Sequence, residues 1–161
     1  MSYVITGLSA DPFRPLFGLT DDQLLERGVI RYAVTEPMGF PCRIALEDAP
    51  VGSTVLLLNY EHQPAPTPYR ASHAIFVREG AGDAAPFVDR LPPVFAERPF
   101  LSLRAFSADG MMQEAELSPR DRLEDTIERL LALPEVAYLQ AHYAGPGCYA
   151  ARIERPAVTA A

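Results

Sequence analysis

Residues 55–79 read VLLLNYEHQPAPTPYRASHAIFVRE. Two apolar runs, 55–58 and 74–77, close around a polar and aromatic middle, and unbroken apolar runs of this length suit strands buried on both faces. The middle holds Asn59, Tyr60, Glu61, His62, Tyr69, Arg70, Ser72 and His73. Pro64, Pro66 and Pro68 stiffen it, because proline-rich backbone is already extended. A structureless connection of about a dozen residues is uncommon in a compact domain and often functional. The connection 61–72 is therefore where a site is expected.

Outward from this stretch, residues 3–6 read as a first strand, and Pro12 and Pro15 then force a loop. Thr20-Asp-Asp-Gln23 has the form of a capping box that opens a short helix, and Gly28 stops it. Residues 29–34, 42–46, 54–60 and 73–78 read as strands, and 86–99, broken by Leu91-Pro-Pro and Arg98-Pro, as irregular. Residues 100–106 and 111–117 form a hairpin around Ala108-Asp-Gly110. Ser118 as N-cap and Pro119 at the first helical position open the main helix. Its Leu123, Ile127, Leu130 and Leu131 share one buried face, and Pro134 ends it. Residues 136–143 and 148–153 are the last strands, joined by Ala144-Gly-Pro-Gly147, with Val136, Tyr138, Gln140 and His142 on one face. Strands dominate and helices come singly. The expected class is α+β, a largely antiparallel sheet with one long and one short helix, in a single domain over 1–156 and a loose tail at 157–161.

At 161 residues one domain is the default and a real core can be buried. No apolar run approaches the ~18 residues of a membrane helix. The N-terminus, MSYVITGLSADPF, lacks the basic region and apolar core of a secretory signal, so a cytoplasmic location is expected. The net charge of −7 argues against nonspecific nucleic-acid binding and against a membrane-surface role. All 14 basic residues are arginine. No side-chain amine exists to form a Schiff base, so pyridoxal phosphate enzymes and lysine aldolases are excluded, as is a GxxxxGK[ST] phosphate loop. No cofactor is expected, and anion recognition falls to arginine. Cys42 and Cys148 form no CxxC pair and are not expected to form a disulfide in a reducing cytoplasm. GxGxxG, HExxH, GxSxG and EF-hand patterns are absent.

Several residue sets carry chemistry. His62, His73 and His142 have the composition of an open three-histidine metal site. No pair has helical i, i+4 spacing, so the case rests on their number; no metal is assigned and the three are kept as its candidates. In the ordinary reading His73 caps a strand, His62 is a loop residue and His142 stacks in the sheet. Cys42 or Cys148 with a histidine can pair nucleophile and base; Cys148 follows Gly145-Pro-Gly147, and His142 stands across that hairpin. Against this, free cysteines are usually small buried hydrophobes. Arg43, Arg70 and Arg104 can clamp an acidic small molecule, Arg70 having an aromatic wall in Tyr69 and a hydroxyl in Ser72. Alternatively Arg70 pairs with Glu61 or Glu79 and pins the loop. Glu61 with His62 or His73 makes an acid–base pair where they meet.

The run Cys42-Arg-Ile-Ala-Leu-Glu-Asp, with LLLNYEHQP, TPYRASHAIFVRE and the closing Ala144-Gly-Pro-Gly-Cys148, resembles a family of small bacterial proteins known as domain of unknown function 1203. The resemblance runs nearly end to end. It implies a bacterial source and a stand-alone domain, and it brings no established activity or functional residue. From residue chemistry, the leading expectation is a small anionic or polar ligand bound at 59–73, with Arg70, Tyr69 and His73 as main contacts beside Ser72 and Asn59, and Arg43 and His142 added from neighbouring strands. The alternatives are an enzyme whose catalytic pair comes from His73, His142, Cys148 and Glu61, and a protein-interaction or homodimerisation module.

Overall fold

The computed structural model describes residues 1–158. In chain order the strands are β1 (Val4–Thr6), β2 (Ile30–Ala33), β3 (Pro41–Cys42), β4 (Glu47–Asp48), β5 (Thr54–Gln63), β6 (Ala71–Arg78), β7 (Phe87–Val88), β8 (Phe100–Phe106), β9 (Met112–Pro119), β10 (Tyr138–Tyr143) and β11 (Tyr149–Glu154). The α-helices are α1 (Asp21–Leu25), α2 (Pro93–Ala96) and α3 (Leu123–Leu131). Strand accounts for 37% of the chain against 15% helix, so the class is α+β, as the pattern of the sequence requires. The strands divide between two sheets, ordered β7-β1-β11-β10-β8-β9 and β2-β5-β6-β3-β4. All pairs are antiparallel except β3 with β6.

The opening stretch forms the centre of the second sheet. β5 and β6 pair from Val55↔Arg78 to Gln63↔Ala71, so the connection is a hairpin loop. It spans residues 64–70 rather than 61–72, because both strands run on past their apolar cores. The loop is docked: Thr67 Oγ1 donates to the Gly110 carbonyl at 3.2 Å, and the Tyr69 ring meets Phe106 edge-on. The capping box is present, with Thr20 accepting from the Gln23 amide and Gln23 accepting from the Thr20 amide. Gly28, at φ +70°, ends that segment.

Three local expectations are corrected. Residues 42–46 are not one strand: β3 stops at Cys42, Leu46 donates back to the Cys42 carbonyl at 2.9 Å, and Leu46 takes φ +54°. Burial on every side, rather than a pleat, makes this run apolar. Residues 86–99 contain β7 and α2, which Pro92 and Pro93 start rather than break. The main helix begins at Leu123, four residues later than Ser118-Pro119 implies, after a 3₁₀ turn at Arg120–Arg122; Ser118 caps nothing and donates to Thr126 Oγ1 at 3.0 Å inside the core. The tail expected at 157–161 lies partly outside the described residues; Val158 is exposed.

Each sheet has its own apolar core. α3 lays Leu123, Ile127, Leu130 and Leu131 on Leu103, Ala105, Leu139 and Ile153 of the first sheet. Phe13, Leu24 and Val29 cover Leu56, Leu58, Ile75 and Val77 of the second. Where the sheets meet, the buried side chains are instead polar: Arg43, His62, Gln63, Gln140 and His142.

The N-terminal segment fixes one side of that seam. Leu8 donates its amide to the Arg43 carbonyl at 2.8 Å, and a Cβ on Gly7 would stand 2.2 Å from the Ile44 carbonyl oxygen. Only glycine permits this approach. Gly7→Ala is expected to destabilise the fold by about 1–3 kcal/mol, the range of overpacking, measured by urea unfolding; an unchanged midpoint would refute the tight docking.

Glu79, at the end of β6, accepts from Arg31 Nε at 2.6 Å, Thr54 Oγ1 at 3.0 Å and the Gly18 amide at 3.1 Å. The Arg31 hydrogen bond above all holds its carboxyl below the usual carboxylate range. Because the folded pKa is depressed, the stabilisation is complete above the unfolded value near ~4.3 and is lost as pH falls through the folded one. The stability difference between wild type and Glu79→Gln is expected to be constant from pH 7 to 5 and to shrink below it; a difference that persists undiminished at pH 2.5 would contradict the linkage.

Candidate functional site

Two strand irregularities build the site. In β5 the register slips between Glu61 and Gln63, which breaks the alternation of the strand and buries both His62 and Gln63. In β10, paired with β11, it slips between Ala141 and His142. Such bulges re-aim side chains, and here each sits at a histidine of the seam. His73 enters from β6 opposite Tyr60. The three imidazoles converge, each offering a ring nitrogen within 4.8 Å of the others.

Gln140 organises them. Its Nε2 donates to the His62 carbonyl at 2.8 Å, which fixes the orientation of the amide, and its Oε1 therefore faces His62 Nδ1 at 2.7 Å. An amide oxygen only accepts, so His62 carries its proton on Nδ1. His142 faces two acceptors, the Gly147 carbonyl from Nδ1 at 2.9 Å and Gln140 Oε1 from Nε2 at 3.2 Å, and a neutral ring donates to only one of them. Burial, more than any other cause, pulls the pKa of His62 and His73 down and that of His142 to about 3, with the Arg104 charge adding to all three. The rings are therefore neutral at pH 7. It follows that Nε2 of His62 is a bare lone pair and that His142 keeps one lone pair against an acceptor. Among the described residues His62 Nε2 has no partner. His73 Nδ1 is buried without a partner as well.

The rings of Tyr149, His62 and His73 form a column, with His62 nearly parallel to Tyr149 at 5.5 Å and to His73 at 4.7 Å. His142 stands edge-on to all three. Burial raises the Tyr149 phenol, which stays protonated. A cavity of about 320 Å³ reaches His62, Gln140 and Tyr149 from one side. A larger one of about 700 Å³ reaches His73 from the other, lined also by Arg43, Phe76, Arg98, Tyr143 and Cys148.

The residues singled out in the sequence are thus divided. His62, His73 and His142 come together. Arg43 and Cys148 meet beside them, Arg43 Nη2 donating to Cys148 Sγ at 3.1 Å. Asn59, Tyr69, Arg70 and Ser72 lie exposed on the outer side. Arg70 donates to Glu61 at 2.8 Å, so the structural reading of Arg70 applies. Among the described residues no hydrogen bond joins Glu61 to His62 or His73, or Cys148 to a histidine. Cys42 is buried, its sulfur accepting from the Ala45 and Arg78 amides. Sequence reasoning missed Gln140 and Tyr149 as site residues. The signal for Gln140 was available: an uncharged amide on the same face as His142 in an otherwise apolar and aromatic strand.

The neutral triad has a pH consequence. Histidines whose folded pKa lies below the ordinary 6.5 favour folding fully above 6.5, and that contribution drains away as pH falls toward the folded values. In chelator-treated protein, the unfolding free energy is expected to decline steadily from pH 6.5 to 5, before carboxylates titrate; a flat profile over that window would mean the imidazoles are not held neutral.

No curated protein and no solved structure matches the chain. Residues 39–155, which contain both bulges, all three histidines, Gln140, Arg43 and Cys148, match the family model described as protein of unknown function (DUF1203), and the chain belongs to that family.

Proposed function

We propose that the protein binds a transition-metal ion through His62, His73 and His142, leaving an open coordination position for a small anionic or polar ligand. One observation carries this reading: three imidazoles converge with a ring nitrogen of each within 4.8 Å of the others, and among the described residues two buried ring nitrogens of the cluster, His62 Nε2 and His73 Nδ1, have no hydrogen-bond partner. A Lewis acid satisfies both at once. The outer partners support it, because His62 Nδ1 faces the Gln140 amide oxygen and His142 Nδ1 the Gly147 carbonyl, the arrangement that orients metal-ligating histidines. Neutral nitrogen donors with no carboxylate suit zinc, copper, nickel or cobalt rather than magnesium or calcium.

A tetrahedral ion with bonds of about 2.0–2.1 Å holds its donors roughly 3.4 Å apart. The rings must therefore close by about an ångström, and His62 must leave its parallel stack on His73, since both lone pairs lie in the ring planes. His73, half-buried at the wall of the larger cavity, is the ring with room to turn. Three histidines leave a tetrahedral ion one position short, as in catalytic rather than structural sites. The Arg104 charge, close enough to depress all three rings, favours an anion there. The small-ligand reading of 59–73 is kept in this form, with His62 and His73 as the contacts of that segment and the outer Arg70–Tyr69 face set aside.

Chelator-treated protein titrated with cobalt(II) is expected to bind one ion per chain and to develop the intense visible bands of a low-coordinate site, which shift on adding azide. Gln140→Ala is expected to weaken binding about 10–100-fold as an outer partner, and His73→Ala at least as much with the fold retained by circular dichroism. Absence of stoichiometric cobalt in folded wild type, or a His73→Ala variant that binds as tightly, would sink the reading.

A further inference from the structure

The cavity of about 700 Å³ has a wall that the histidines do not use. There Arg43 is 2% exposed, yet among the described residues it has no ion pair. Its Nε donates to the Tyr149 carbonyl at 2.8 Å, Nη1 to the Pro41 carbonyl at 2.7 Å and Nη2 to Cys148 Sγ at 3.1 Å. A guanidinium has five N–H groups, so two have no acceptor among the described residues. The second arginine of the cavity differs: Arg98 is neutralised by Asp48 through two hydrogen bonds of 2.9 and 3.0 Å. Both guanidinium groups lie over the Tyr143 ring, at 4.9 and 5.4 Å from its centroid. Among the described residues no carboxylate lines the cavity, and its remaining walls are largely apolar, including Leu57, Phe76 and Phe100. The cavity therefore presents one unbalanced positive charge in apolar surroundings, where an uncompensated cation is costly.

We propose that this cavity binds an amphipathic monoanion, a carboxylate headgroup on Arg43 with an apolar body against Leu57, Phe76 and Phe100. The volume lies within the range of small-molecule sites, and the pattern of apolar walls with one fixed polar anchor is theirs too. The headgroup takes up the two free N–H groups and supplies the counter-charge that Asp48 supplies to Arg98. Cys148 Sγ, held against the same guanidinium, borders the headgroup. This site stands on its own residues and does not require an ion on the histidines.

Calorimetric titration of the full chain, with chelator present throughout, compares octanoate with octanamide, which has the same apolar body and no charge. Octanoate is expected to bind with one site per chain and at least about tenfold more tightly, the worth of a charge-assisted hydrogen bond. Ala74→Trp, which fills the cavity from an exposed position on β6, is expected to abolish binding of both. Arg43→Met, provided it folds, is expected to erase the preference for octanoate. Equal affinity for the two compounds in wild type, no binding of octanoate, or octanoate binding untouched by Ala74→Trp would each overturn the proposal. The wild-type comparison and the Ala74→Trp variant decide it even where Arg43→Met fails to fold.

Discussion

The contact on which the seam depends is the clasp between the Gln140 side chain and residue His62. One primary amide donates to the backbone of β5 and accepts from its side chain, 78 residues away in sequence. It joins two sheets whose apolar cores are separate. A second amide repeats the move one residue on, where Gln63 Nε2 donates to the Tyr138 hydroxyl at 2.7 Å. Buried hydrogen bonds of this kind contribute modestly when made, about 1 kcal/mol each, but leaving one partner bare costs more. The clasp therefore specifies how the sheets meet more than it stabilises them, and it does so by fixing a tautomer.

That tautomer links architecture to chemistry. A histidine with Nδ1 spent on structure has only Nε2 left, and the three imidazoles gathered at the bulges in β5 and β10 each offer a ring nitrogen within 4.8 Å of the others. The proline-rich loop takes part as scaffolding. Gly110, at φ +84°, brings the hairpin tip so close that a Cβ there would stand 2.4 Å from Ala65 Cβ. The loop is thus held against β8–β9 and keeps the end of β5 on the first sheet. Its exposed residues face away from the seam, while the residues that bracket it, His62 and His73, face into it.

Most strands were legible because their signals are local: apolar runs at 55–58 and 74–77, the hairpin at 100–117, the capping box at Thr20. The α3 face was legible for the same reason. The start of that helix was not, because Ser118 finds its partner in Thr126 inside the core and not at the helix terminus. Neither was the site as a whole. Sequence placed His142 beside Gln140 on one face and placed His62 and His73 near each other, but the approach of the two sets depends on sheet-to-sheet contact and on two bulges with no local signature. Arg43 and Arg70 both read as clamps for an acidic molecule; only its burial without a carboxylate separates Arg43 from Arg70, whose pairing with Glu61 is a surface event worth little.

Charge decides what the proposed site at the seam would select. The chain carries −7 overall, yet Glu79 pairs with Arg31 and Glu61 with Arg70 away from the seam, and Asp48 pairs with Arg98 at the wall of the larger cavity. Arg104, without an ion pair among the described residues, and Arg43 face inward instead. The Arg104 charge beside the three neutral histidines weakens the hold on a bare dication without abolishing it, because like charges in a partly dry region repel. An ion bound there gains when it brings an anion with it, and the anion gains from the ion. By linkage each raises the affinity of the other by the same factor. The charge that works against a permanently loaded structural metal therefore suits the proposed site, where metal and anionic ligand would bind together.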